Sequence, residues 1–84
     1  MDNNAIKLLV DAGAIKSVSI VADGASIHAL ITTIAGTPQP ATTQQGKIKM
    51  WSSIDSAAKY IRSLGIGKVR LDLAKWNVKQ KGVL

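Results

Sequence analysis

Residues 14–34 read AIKSVSIVADGASIHALITTI, two runs rich in β-branched residues on either side of Asp23-Gly24. Side chains alternate between the faces of a strand, and a two-residue Asp-Gly loop is a strong hairpin signal. With Asp23-Gly24 as the loop, Ala22 stands opposite Ala25, Ile20 opposite Ile27 and Val18 opposite Ala29. One face then collects Val18, Ile20, Ile27, Ala29 and Ile31. The other collects Ser17, Ser19, Ser26, His28 and Thr32, with Ile15, Val21 and Leu30 among them. A slip of one residue would mix the two sets, so pattern and turn support the same hairpin.

Outward toward the N-terminus, Asp2, Asn3 and Asn4 are capping residues, followed by apolar positions at helical spacing: Ile6, Leu9 and Val10. A short amphipathic helix is expected over residues 4–12, stopped at Gly13. Toward the C-terminus, residues 35–46 (AGTPQPATTQQG) hold both prolines of the chain and no charge, and are expected as a flexible loop. The next run, KIKMWS (47–52), is expected as the third strand. Its alternation sends Ile48 and Met50 one way, and Lys47, Lys49 and Trp51 the other, onto an open face.

SIDSAAKYIRSLGIG (53–67) then reads as a helix capped by Ser52 or Ser53, with Asp55 in its first turn, where the helix dipole favours an acid. Ile54, Ala57, Ala58, Ile61 and Leu64 form its apolar stripe, and Asp55 and Lys59 an i,i+4 pair. Gly65 ends it, with Ile66 folding back. In KVRLDLAKW (68–76), Val69, Leu71 and Leu73 face in, while Lys68, Arg70 and Asp72 face out. NVKQKGVL (77–84) is a basic tail.

These elements give one α+β domain of order α-β-β-β-α-β, with no internal repeat. Three strands form an antiparallel meander, and the second helix carries the chain through a right-handed crossover to a last strand. That strand can lie beside the third or beside the first. Both helices cover one sheet face.

A chain of 84 residues buries only about 60–65% of its unfolded surface, so stability is thin and pairing of two copies would help. No cysteine is present to staple the core or hold zinc. The start shows no signal-peptide pattern, and no apolar run approaches the roughly 20 residues that span a bilayer. A soluble, cytoplasmic protein with no membrane contact is expected.

The charge is uneven. Residues 1–46 hold two lysines against three aspartates, a net of −1. Residues 47–84 hold nine lysines and arginines against two aspartates, a net of +7. Such asymmetry points to a polyanion.

Enzyme chemistry has little to work with. The chain has no glutamate, no cysteine and one histidine, so a nucleophile–His–acid set would need His28 with Asp23 or Asp72. No ligand cluster suits a metal, and Gly65-Ile66-Gly67 follows a helix where a dinucleotide fingerprint opens one. No catalytic residue, cofactor or metal is assigned.

The basic residues are the better lead. If the strands carrying Lys47 and Lys49, and Lys68 and Arg70, are neighbours, their charges share one face with Trp51. Such a face suits a nucleic-acid backbone, or a stacked base. Lys59 and Arg62 extend it on the helix; Lys75, Trp76, Lys79 and Lys81 form a second cluster toward the tail. Each has a plainer reading. Edge lysines prevent aggregation, and either tryptophan can serve as packing.

WSSIDSAAKYIRSLGI (51–66), preceded by KIKM and followed by KVRLDL, together with the opening LLVDAGAIKSV (8–18), resembles small plasmid-borne proteins described as partition-associated, of a ParC-like accessory kind. The resemblance covers most of the chain outside the Thr/Gln/Pro loop. It implies a bacterial plasmid context and an accessory role near DNA maintenance, and it carries over no functional residue. The expected function is that of a non-enzymatic accessory protein binding DNA, or RNA, as a homodimer. The alternative is a dimerising interaction module of a partition system that meets an acidic protein partner.

Overall fold

The computed structural model describes residues 1–76. Its elements run α1 (Asn3–Asp11), β1 (Ile15–Gly24), β2 (Ser26–Thr33), β3 (Pro38–Pro40), α2 (Ile54–Ser63) and β4 (Arg70–Trp76). The expected α+β order is observed. Within one sheet the strands lie β3-β2-β1-β4, antiparallel except for the parallel pair β1–β4.

The hairpin forms with a corrected register. Ala22 pairs with Ile27, Ile20 with Ala29, and Val18 with Ile31. Asp23 pairs with Ser26, so the two loop residues are Gly24 and Ala25. Gly24 has φ +63°, and no residue other than glycine has positive φ among those described. A positive φ at the first loop position alone is the type II′ pattern, which puts glycine first. The register differs from expectation by two residues, and a shift of two preserves the faces. Val18, Ile20, Ala22, Ile27, Ala29 and Ile31 are therefore all buried.

β3 corrects the strand expected at 47–52. Its three residues come from the proline-bearing segment, pairing Leu30 with Pro40 and Thr32 with Pro38. Two prolines at i and i+2 aim their missing N–H positions away from β2, which an edge strand tolerates. The alternate position Ala41 donates its N–H to Ala29 O at 3.0 Å. Outside β3, Met1 N donates to Pro40 O at 2.9 Å, and Met1 O accepts from Thr42 N–H. From 47–52 only Trp51 reaches the sheet, as an isolated bridge to Ile27.

The helices cover the buried face. Asp2 caps α1, accepting from Ala5 N–H at 3.0 Å, and Ile6 carries α1 into the core. Ser53 caps α2, accepting from Ser56 N–H at 3.1 Å. Ala57, Ile61 and Leu64 are buried, with Ile54, Tyr60 and Ile66 packed against them. Ala58, expected in the stripe, is exposed, and Tyr60 takes part in its place.

β4 occupies the free edge of β1, because Pro38–Ala41 and Trp51 already line the outer edge of β2. Val69, Leu71 and Leu73 were expected to face in. By alternation they lie on the helix side, but remain 40%, 48% and 42% exposed. Two helices of nine and ten residues cover the central strands and leave this edge bare.

Candidate nucleic-acid interface

Residues opposite one another in a sheet share a face. Trp51 exchanges backbone hydrogen bonds with Ile27, whose side chain points into the core. Trp51 therefore turns to the helix side, half-buried against the core. Lys49 follows it, its Nζ 4.8 Å from the centre of the Tyr60 ring. Ile48 and Met50 line a cleft on the open face with Asp23, Ser26 and His28. The expected alternation is present with its sides exchanged. Lys47 is exposed in the turn closed by its N–H bond to Thr43 Oγ1.

Tyr60 closes this corner. Its ring centre is 5.0 Å from that of Trp51, and its hydroxyl donates to Asn3 Oδ1. Burial raises its pKa above the ordinary value, and the nearby Asp2 carboxylate raises it further.

The basic residues do not share one face. Lys47, Lys49 and Trp51 stand at the β2–β3 edge, whereas Lys68, Arg70 and Lys75 stand along β4 at the opposite edge. Of the two places open to the last strand, it takes the one beside β1, so the hairpin separates the two basic segments. Lys59 and Arg62 are exposed on α2, with Lys59 Nζ 3.2 Å from Asp55 Oδ2. Trp76 is half-buried, packed on the core where β4 meets Gly24. Lys79 and Lys81, with the basic tail, lie outside the described residues.

One basic grouping has a defined shape. β1–β4 pairing starts at Ser19 and Arg70, so the residues before them are not joined by the ladder. Two adjoining clefts of about 360 and 230 Å³ open there. Lys16, Ser17, Val18 and Lys68 line both; Arg70 lines the smaller. All three cations are exposed, and none is ion-paired among the described residues. Lys16 is the member that sequence reasoning missed. It lies in the acidic half of the chain, and only the β1–β4 pairing brings it beside Lys68.

Asp23, Ser26 and His28 line the same open cleft, yet no side-chain hydrogen bond joins them among the described residues. No group of three metal-ligating side chains occurs among the described residues, and no helix there is long and apolar enough to cross a membrane. Comparison of the chain with protein-family models, curated proteins and solved structures finds no match.

Proposed function

We propose that the protein binds nucleic acid through its phosphate backbone, as a non-enzymatic accessory in plasmid maintenance or partition. The observation that carries this reading is the grouping of Lys16, Lys68 and Arg70 around one cleft, in a chain whose second half bears +7. Three cations lining one cleft suit phosphate oxygens, which fix position without reading bases. Lys75 continues the stripe along β4. DNA is the expected partner from the resemblance; RNA presents the same phosphates. The plasmid role rests on that resemblance alone.

A salt titration of binding to labelled duplex DNA, single-stranded DNA and RNA tests the proposal. Retained affinity near physiological salt is expected, with a log–log slope that falls by roughly 0.9 for each duplex phosphate contact removed. Lys16→Ala/Lys68→Ala is expected to weaken binding uniformly across sequences and flatten the slope by about two such contacts. Binding lost well below physiological salt overturns the reading, and leaves the basic half to an acidic protein.

A further inference from the structure

The two edges of the sheet are finished differently. The β3 edge carries Pro38 and Pro40 and is overlain by the Met1 backbone. The β4 edge is less blunted: the run RLDLAKW has neither proline nor glycine, its irregularity and Lys75 come only after Asp72, and no described strand pairs with its outer side. An open edge of this kind is a template for another strand. Beside it, Val69, Leu71 and Leu73 form an exposed apolar row on the helix side.

We propose that the occupant of this edge is a second copy of the chain, its β4 antiparallel to the first, joining two four-stranded sheets into one. The charge pattern selects the partner and the register. Arg70 pairs with Ser19 and Asp72 with Val21, which places both charges on the open face, while Leu71 pairs with Ile20 on the helix side. A two-fold axis at Leu71 sets Arg70 opposite Asp72 of the second copy, and Asp72 opposite its Arg70. The same axis sets Leu71 against its own copy and Val69 against Leu73. Residues opposite in an antiparallel pair share a face, so the apolar row meets itself and the charges meet opposites. Sliding the pair by two residues either way brings Arg70 onto Arg70 or Asp72 onto Asp72. An edge guarded by lysines alone would repel its copy, whereas this one is self-complementary.

Asp72 is available for the contact. Its Oδ1 accepts from Ala74 N–H at 3.0 Å, which leaves Oδ2 for a guanidinium. That bond sits in the irregular stretch between the Val21–Asp72 and Asp23–Lys75 pairs, where β4 carries an extra residue. Regular pairing therefore centres on Arg70–Asp72, before the irregular stretch, with Val69 and Leu73 at its two ends. The contact uses only the protein, but it engages Arg70, which also lines the cleft assigned to phosphate, so it is tested without nucleic acid.

Sedimentation equilibrium of the full chain without nucleic acid tests it. A dimer is expected. Arg70→Asp and Asp72→Arg, each placing like charges opposite, are expected to weaken dimerisation about tenfold or more, and the double variant R70D/D72R to restore it. Circular dichroism checks that these exposed substitutions leave the fold intact. Because the chain has no cysteine, Leu71→Cys gives a further readout. Facing Cα atoms about 4.5–5.5 Å apart suit a disulfide, so oxidation is expected to yield a covalent dimer. Leu73→Cys, which faces Val69, is expected to stay reduced. A monomer at high concentration overturns the proposal, as does a dimer insensitive to both charge reversals.

Discussion

Trp51 and Ile27 each donate a backbone N–H to the other's carbonyl, at 2.8 and 3.0 Å. This pair turns the tryptophan toward the helix layer and seats it beside Tyr60, at a ring-centre distance of 5.0 Å. It makes the 47–51 segment a strap that crosses the sheet edge at one point. The tryptophan is engaged in packing, and Lys16, Lys68 and Arg70 stand at the other edge.

Tyr60 gives a pH dependence with a definite sign. Burial and Asp2 favour the neutral phenol in the folded chain, so its pKa is raised. The associated stability is complete below the unfolded value of about 10 and is lost as pH rises from there through the folded value. The chain has one tyrosine, so the ultraviolet titration of tyrosinate reads it directly. The midpoint is expected above that of the urea-unfolded chain. Asp2→Asn, an equally good helix cap, is expected to lower it by only the smaller part of the shift.

Gly24→Ala tests the corrected turn. A Cβ there would meet nothing within 4 Å, so crowding contributes no cost. The backbone is the obstacle, since φ is +63°. A loss of about 1–2 kcal/mol is expected in urea unfolding, while Ala25→Gly costs less.

The α2 cap discriminates between two adjacent serines. Ser53 Oγ accepts from Ser56 N–H at 3.1 Å and pairs with Ser56 Oγ at 2.9 Å. Ser53→Ala is expected to cost about 1 kcal/mol. Ser52→Ala is expected to stay within about 0.5 kcal/mol, measured by the same unfolding curves.

Two neighbouring α2 positions are expected to respond oppositely. Ile61 is 1% exposed, and Ile61→Ala should cost about 2–5 kcal/mol, a large share of a small domain's stability. Ala58 is exposed, and Ala58→Lys should change stability by less than about 0.5 kcal/mol. Equal losses at both would mean that the stripe is wider than the structure places it.

What was legible from sequence was local. The alternation around residues 18–31, the cap candidates among Asp2, Asn3 and Asn4 and between Ser52 and Ser53, and the stops after both helices each depend on neighbours in the chain. The hairpin faces survived a register error because the error was even, and alternation has period two. The Asp55–Lys59 pair follows from helical spacing alone.

Tertiary structure decided which segments became edges. Two prolines argued against a strand at 38–40, yet an edge leaves their missing N–H groups without consequence. KIKMW had the better alternation, yet only Trp51 bridges to β2 while Ile48 bridges to Thr42, because Pro38–Ala41 already lined most of β2. With that edge filled, β4 went to β1. This separated Lys49 from Lys68, brought Lys16 to Lys68, and left Val69, Leu71 and Leu73 uncovered. Periodicity says which way a side chain points relative to its own strand. Which strand lies beside it depends on competition among distant segments for a limited number of edges, and no local pattern encodes that.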